Sequence, residues 1–255
     1  IFVAPQILKV FRIMAKDMNA QSSMSQEFSV MKRMVTNRFR TTSVSGSQVR
    51  IIENFLPEEE FERLKAVARE EKDNLYRKNS GMRSGAAMSS QDLREGACAL
   101  LAESLINQNT LNRARDVLDL PNLEFIGAED TNQLSLLYYG EPGDGIDWHF
   151  DGNIYLGDRW AGIFTLQEDT LDEFSKLELK EDDGSVRQFP TKLMPNSLAL
   201  FQGDKMIHRV RGMNEGEERM VVNLLFSTNP EPSRNPLLQL YQSTVNYFFY
   251  GKAKP

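Results

Sequence analysis

The chain has 255 residues, of which 40% are hydrophobic, and its formal net charge is −6 at pH 7. This length and apolar content suit one large domain, or one domain with appendages. The chain is long enough to bury a substantial core. The acidic balance gives no reason to expect a nucleic-acid partner. No apolar run reaches the roughly 18 residues of a membrane-spanning helix, so no membrane span is predicted.

Cysteine is scarce, because Cys98 is the only one in the chain. A single cysteine can form neither an internal disulfide nor a cysteine-rich metal site. A reducing compartment is the simplest setting for such a chain. We therefore expect an intracellular location.

The first 47 residues differ from the rest in composition. They contain seven Lys or Arg residues against two acidic residues, together with many Ser, Thr, Met and Gln residues. Targeting presequences are basic and poor in acidic residues, but a disordered leader has the same composition. We expect a leader over residues 1–47, either targeting or disordered, followed by a single domain over residues 48–255. The location is then cytoplasmic, or organellar if the leader is a presequence.

The first group of helical signals lies in residues 57–118. Pro57 with three glutamates directly behind it predicts a helix start. The segment "GMRSGAAMSS" at 81–90 predicts a loop, and 90–108 predicts a second helix with Ser90 as its cap. A third, short helix is expected near 110–120.

The character of the chain changes after Pro121. Residues 120–228 contain short apolar segments bounded by Gly, Pro, Asn or Asp at hairpin spacing, which is typical of an antiparallel sandwich or barrel such as a jelly roll. Residues 235–250 have helical spacing. The predicted fold class is therefore α+β, mainly β, with N-terminal supporting helices, a jelly-roll core over 120–228 and a C-terminal helix.

The two histidines of the chain indicate a metal site. His149 and Asp151 stand two positions apart in "DWHFDG", and residues at that spacing in a strand point to the same face. His208 lies in a second segment of strand character, "MIHRVRG". Two imidazoles and one carboxylate can occupy one face of an octahedral iron(II) ion and leave three positions open. We predict His149, Asp151 and His208 as metal ligands and as the catalytic centre.

An arginine on the following strand predicts an adjoining anion site. Arg219 lies in "ERMVVNLLF", and its planar guanidinium suits a buried carboxylate better than a lysine. Tyr139 could donate its hydroxyl to the same carboxylate, and Tyr138, on the opposite face, is the competing candidate. The alternative role for Arg219 is a surface salt bridge with Glu217, Glu218 or the acidic loop 180–183.

These segments resemble the iron(II)/2-oxoglutarate-dependent oxygenases, in particular their prolyl-4-hydroxylase-like branch. The resemblance covers about residues 120–228 and rests on a Tyr-x-x-Pro-Gly-like turn, the His-x-Asp pair, a distal His followed by Val, and the arginine. It implies a double-stranded β-helix, iron held by His149, Asp151 and His208, and 2-oxoglutarate bound to Arg219. Procollagen-type prolyl hydroxylases usually carry lysine where Arg219 stands.

The function that the resemblance implies is a dioxygenase, most simply a hydroxylase of a small molecule or a peptidyl residue. It would use Fe(II), 2-oxoglutarate and O2, with ascorbate as an optional addition, and convert 2-oxoglutarate into succinate. One alternative is a non-catalytic jelly-roll protein that binds a metal or a small acid. Another is a zinc hydrolase with the same three ligands, in which Arg219 would have no purpose. The composition does not indicate an oligomeric state.

Overall fold

The computed structural model of the chain describes residues 49–79 and 83–234. The predicted leader at 1–47 and the predicted C-terminal helix at 235–250 lie outside these residues. Within them the helices are α1 (Glu58–Glu70), α2 (Ser90–Leu93), α3 (Ala99–Leu105) and α4 (Gln108–Leu118). No helix in this described part has the length and apolar content needed to cross a membrane.

Twelve strands pair antiparallel throughout the described residues. In chain order they are β1 (Arg50–Ile52), β2 (Tyr76–Asn79), β3 (Arg83–Met88), β4 (Glu124–Phe125), β5 (Leu134–Tyr139), β6 (Gly145–His149), β7 (Arg159–Asp169), β8 (Phe174–Lys180), β9 (Val186–Pro190), β10 (Ser197–Phe201), β11 (Ile207–Val210) and β12 (Glu218–Ser227).

The strand order is that of a jelly roll. Strands β10, β7, β12 and β5 are neighbours in one half of the sheet, and β6, β11, β8 and β9 are neighbours in the other half. From β5 to β12 the chain crosses between these halves repeatedly, which is the connectivity of a double-stranded β-helix. Strand β3 pairs with both β5 and β6 and so joins the two halves. The predicted fold class is confirmed.

Two apolar cores explain why the central strands are buried on both faces. One core packs α1, α3 and α4 against the sheet and includes Leu64, Leu101 and Phe164. The other core lies between the two halves of the sheet and includes Tyr139 and Phe201. Strands β7 and β12 lie between the two cores, so almost every residue of both strands is buried.

Helix α1 begins where the sequence predicts. Its cap residue is Pro57, the first turn carries three glutamates, and Phe61, Leu64 and Ala68 are buried. The acidic residues interact favourably with the positive end of the helix dipole.

The segment 81–90 is not entirely a loop, contrary to the prediction, because β3 occupies Arg83–Met88. The strand escapes recognition because it lacks the β-branched and aromatic residues that favour strands. Small residues are required here: a Cβ added at Gly85, whose φ is +143°, would lie 2.9 Å from Cδ1 of Tyr139. The strand therefore depends on its neighbours rather than on its own propensity.

The predicted second helix is also interrupted. A 3-10 turn at Gly96–Cys98 separates α2 from α3, and Gly96 has a φ of +62°. Ser89, not Ser90, caps α2, since its side chain accepts a hydrogen bond from the backbone N–H of Asp92. The third predicted helix is confirmed as α4.

Candidate metal centre and candidate anion site

The structure brings the three predicted metal ligands together at one end of the barrel. His149 at the end of β6 and His208 on β11 are directly paired across the sheet, and their ring centroids are 4.2 Å apart. Asp151 lies just beyond β6, and its Oδ1 is 3.8 Å from Nε2 of His149 and 3.7 Å from Nε2 of His208. One ligand atom from each residue lies within 4.8 Å of the others.

Backbone carbonyl groups orient both imidazole rings in the same way. Nδ1 of His149 lies 2.8 Å from the carbonyl oxygen of Asp147, and Nδ1 of His208 lies 2.9 Å from that of Met206. Each carbonyl accepts a hydrogen bond from the Nδ1–H tautomer, which leaves the lone pair of Nε2 facing Asp151. This is the arrangement that oriented metal-binding histidines need.

The electrostatics of the cluster favour a cation. Burial, with the neighbouring His208, lowers the pKa of His149 to about 4, so its imidazole is neutral near pH 7. Burial alone would raise the pKa of Asp151, but the charge of Arg159, with the electrostatic influence of His208 and His149, outweighs burial and lowers that pKa. The neutral imidazole of His149, the imidazole of His208 and the ionised carboxylate of Asp151 are a suitable ligand set for iron(II). Among residues 49–79 and 83–234 this is the one such cluster of at least three ligand residues.

The predicted anion site lies inside the same barrel. Arg219 on β12 is paired directly with Tyr139 on β5, and both residues are buried, with 1% and 0% of their surface exposed. Tyr138 lies on the opposite face, where its hydroxyl donates a hydrogen bond to Oε1 of Glu218 at 3.1 Å. Burial, with the negative charge of Glu218, raises the pKa of Tyr138 to about 12. Of the two tyrosines, Tyr139 is therefore the one beside Arg219.

Arg219 makes a buried ion pair rather than a surface salt bridge. Its Nε lies 3.4 Å from Oε1 of Glu168 on β7, and both side chains are almost fully buried. The same oxygen accepts hydrogen bonds from the hydroxyl of Ser175 and the backbone N–H of Lys176, each at 2.7 Å. Glu217, one of the predicted alternative partners, contacts Lys176 instead. Sequence reasoning missed Glu168, although antiparallel pairing of β7 with β12 would have placed it opposite Arg219.

Two buried polar atoms at this site make no well-aligned hydrogen bond within the described part of the chain, although the hydroxyl of Tyr139 interacts with Arg83. Nη2 of Arg219 and the hydroxyl of Tyr139 are buried and make no well-aligned hydrogen bond. Burial raises the pKa of Tyr139, and the guanidinium groups of Arg83 and Arg219 partly offset this effect. An unsatisfied buried donor costs about 1–3 kcal/mol, and more when it is charged. These donors are therefore a suitable binding site for a carboxylate.

Two further arginines near these sites had no clear signal in the sequence. Arg83 lies at the start of β3, the strand that was predicted as a loop, and its side chain is buried. Arg159 begins β7, and its Nη2 lies 3.6 Å from Oδ2 of Asp151. Each arginine reaches its site only because the fold brings together segments that are distant in sequence, so its proximity to the site could not be predicted from the sequence.

Comparison with known proteins finds similarity in structure alone. Neither a scan against protein-family models nor a search of curated protein sequences finds a match. A prolyl-4-hydroxylase from Pseudomonas putida is similar over 74% of this chain and 94% of its own, with 17% identity and a TM-score of 0.53. The non-heme alpha-ketoglutarate-dependent epimerase SnoN from nogalamycin biosynthesis is similar over 78% of this chain and 81% of its own, with 12% identity and a TM-score of 0.56.

A prolyl hydroxylase from Trichoplax adhaerens, solved with a peptide fragment of the hypoxia-inducible-factor oxygen degradation domain, is also similar. The match covers 86% of this chain and 98% of that one, with 15% identity and a TM-score of 0.52.

Proposed function

From its fold, which is that of the iron(II)/2-oxoglutarate-dependent oxygenases, we infer that this chain is an iron(II)- and 2-oxoglutarate-dependent dioxygenase. The observation that carries this proposal is the combination of two sites in one barrel. A cluster of two histidines and one carboxylate lies at one end, and a buried arginine and tyrosine with unsatisfied donors lie between the two halves of the sheet.

In this proposal His149, Asp151 and His208 hold the metal. The histidines present Nε2 because the backbone holds Nδ1, and Asp151 presents Oδ1. Three ligands on one side leave the other side of an octahedral ion open to small molecules. Bound iron(II) would supply the activation of dioxygen that couples decarboxylation of 2-oxoglutarate to substrate oxidation.

Arg219 and Tyr139 would bind the distal carboxylate of 2-oxoglutarate. Glu168 contacts the Nε edge of Arg219, which leaves Nη2 for a ligand. A buried anion needs a cation and hydrogen-bond donors to offset its loss of hydration, and this pair supplies both. The apolar residues around Tyr139, such as Leu137 and Val221, would keep water away from the bound co-substrate.

A hydroxylase of a small molecule or of a peptidyl residue is the proposed activity. The prolyl hydroxylases among the structural neighbours support hydroxylation, and the Trichoplax protein binds a peptide. SnoN is an epimerase with the same fold, so the choice of reaction depends on the substrate and its position. We also propose that residues 48–255 form one oxygenase domain behind the leader at 1–47.

The test is the formation of succinate from 2-oxoglutarate by purified protein with added Fe(II) and O2, with and without ascorbate. We expect the parent protein to form succinate, and to form it faster when the oxidised substrate is present than when it is absent. The His208→Ala variant should form no succinate. Arg209→Gln is the matched control, because Arg209 is adjacent to His208 but contacts Glu178 and the ring of Trp148 instead. A parent protein that binds iron and 2-oxoglutarate without turnover would support the alternative of a binding protein.

A further inference from the structure

The two oxygens of Asp151 have different surroundings. Oδ1 faces His149 and His208, whereas Oδ2 faces Nη2 of Arg159 at 3.6 Å. The backbone N–H of Asp151 donates a hydrogen bond to the carbonyl of Gly203 at 2.9 Å. Contacts with Arg159 and the backbone of Gly203 therefore fix Asp151 on the side that faces away from the histidines.

Gly203 closes the space behind Oδ2. A Cβ added to Gly203 would lie 2.1 Å from Oδ2 of Asp151, which is far inside van der Waals contact. Gly203 has an ordinary backbone conformation and is absent from the residues with positive φ in the described chain. Gly203 lies in a turn that follows Gln202, but that turn does not give it a positive φ, so glycine at this position is explained by the approach of Asp151.

Arg159 is itself fixed by several contacts. Its Nη1 donates a hydrogen bond to the carbonyl of Gly152, the residue after Asp151. Its backbone N–H points to Oδ2 of Asp204 at 3.5 Å, and Asp204 also accepts a hydrogen bond from Asn153 at 2.9 Å. The guanidinium thus contacts both the carboxylate and the backbone of the loop that follows β6.

We propose that Arg159 is a positioning residue that holds Oδ2 of Asp151 away from the metal, so that the carboxylate binds through Oδ1 alone. This inference rests on the proposed iron site. A carboxylate that bound through both oxygens would occupy a position that the co-substrates need. Mutation of a residue that contacts and orients a metal ligand typically lowers metal affinity by about 10–100-fold.

Electrostatic repulsion predicts the opposite sign, which makes the proposal testable. A guanidinium near a divalent cation repels it, so a purely electrostatic effect of Arg159 would weaken metal binding. Removing the charge would then tighten binding. Positioning predicts weaker binding in the same variant, because Asp151 would lose its fixed orientation.

The experiment titrates the protein with Co(II) alone, without 2-oxoglutarate or O2, and follows calorimetry and the visible Co(II) spectrum. We expect Arg159→Met to bind Co(II) about 10–100-fold more weakly than the parent and to have a changed spectrum, because Oδ2 is free to coordinate. Arg159→Lys should be intermediate, since lysine keeps the charge but lacks the planar fork. Gly203→Ala, which displaces Oδ2 from the other side, should also weaken binding. Arg209→Met, a control on the outer face beside His208, should match the parent.

Equal or tighter Co(II) binding by Arg159→Met would overturn the proposal. Weaker binding with an unchanged spectrum and a lowered Tm would also overturn it, because the residue would then act only on stability. A parent protein that binds no Co(II) would refute the metal site and, with it, the role of Arg159. Normal binding by the parent and by Arg159→Met would refute only the role of Arg159.

Discussion

Arg219 is the residue on which the proposed 2-oxoglutarate site depends most. Removing one partner of a buried charge pair typically costs about 3–5 kcal/mol, and each 1.4 kcal/mol is about tenfold in affinity. Arg219→Ala should therefore raise the KM for 2-oxoglutarate roughly a hundredfold or more, while Co(II) binding is kept. Arg219→Lys should be milder but impaired, because an ammonium cannot make the paired contact of a guanidinium.

Succinate release against 2-oxoglutarate concentration measures this effect. Arg187→Ala is a suitable control, because Arg187 on β9 pairs with Glu181 at the surface. An unchanged requirement for 2-oxoglutarate in Arg219→Ala would assign the carboxylate to another residue.

The hydroxyl of Tyr139 can be tested separately from the ring. Tyr139→Phe removes a buried hydroxyl that interacts with Arg83 but makes no well-aligned hydrogen bond, so the stability of the protein without ligand should fall only a little. Hydrogen bonds to charged groups contribute about 1.5–3 kcal/mol, so the affinity for 2-oxoglutarate should fall about 10–100-fold. Tyr138→Phe is the matched control, since it removes only the bond to Glu218 on the outer face.

Calorimetric titration of 2-oxoglutarate into the protein loaded with Co(II), without O2, measures this affinity for both variants. Equal affinity in Tyr139→Phe and the parent would show that the hydroxyl of Tyr139 does not bind 2-oxoglutarate. A larger loss of affinity in Tyr138→Phe than in Tyr139→Phe would show that Tyr138, not Tyr139, contacts 2-oxoglutarate.

At the scale of elements, Glu217 joins the end of β7 to the turn before β12. Its carboxylate accepts hydrogen bonds from the backbone N–H groups of Asn214 at 2.6 Å and Leu171 at 2.8 Å, and it pairs with buried Lys176 at 2.6 Å. Burial alone would raise its pKa, but these contacts outweigh burial and lower it from 4.5 to about 2. Stabilisation from a lowered pKa is present above the pKa of the unfolded chain and is lost as the pH falls through the folded value.

Glu217→Gln should therefore be less stable than the parent at pH 7, by roughly 3 kcal/mol. The difference should shrink as the pH falls from about 4.5 towards 2. Urea unfolding at a series of pH values measures it, with Glu215→Gln, an exposed neighbour, expected to follow the parent. A difference between Glu217→Gln and the parent that is independent of pH would show that the charge of Glu217 does not stabilise the fold.

Asn196 connects the segment before α1 to the turn before β10. Its side chain accepts a hydrogen bond from the N–H of Leu56 at 2.9 Å and donates one to the carbonyl of Leu56 at 2.8 Å, and its φ is +56°. Asn196→Ala should lose about 3 kcal/mol, from two hydrogen bonds and the strained backbone. Asn196→Gly should lose about 1 kcal/mol less, because glycine accepts a positive φ.

The free energy of unfolding in urea, measured for both variants of Asn196, checks this order. Equal losses in Ala and Gly would show that the backbone conformation costs nothing there. An Asn196→Ala variant as stable as the parent would show that neither the two hydrogen bonds nor the backbone conformation affects stability.

The strands of the core could be predicted from sequence, whereas the contacts between them could not. Short apolar segments between turn residues indicate β5 to β12, and strand alternation predicts that His149 and Asp151 share a face. Strand β3 was missed because pairing with β5 and β6 stabilises it despite its small residues. Glu168 and Arg159 were missed for a related reason, since each acts on a residue that only the folded sheet brings near.

At the scale of the whole molecule, the jelly roll places the proposed metal site and the proposed anion site at fixed positions relative to each other. β6 and β11 in one half of the sheet carry the histidines, and β5 and β12 in the other half carry Tyr139 and Arg219. A molecule chelated at the metal and bound at Arg219 would thus contact both halves of the sheet. Neither half could bind 2-oxoglutarate at both ends by itself.

The most direct test of the central claim is the visible absorption that appears when a 2-oxo acid chelates iron(II), measured without O2. We predict that the parent protein with Fe(II) develops this band on addition of 2-oxoglutarate and that succinate, which lacks the 2-oxo group, produces none. His208→Ala should show no band at any 2-oxoglutarate concentration. Arg219→Ala should show the band only at roughly a hundredfold higher concentration. A parent protein that binds iron(II) but develops no band with 2-oxoglutarate would contradict the account.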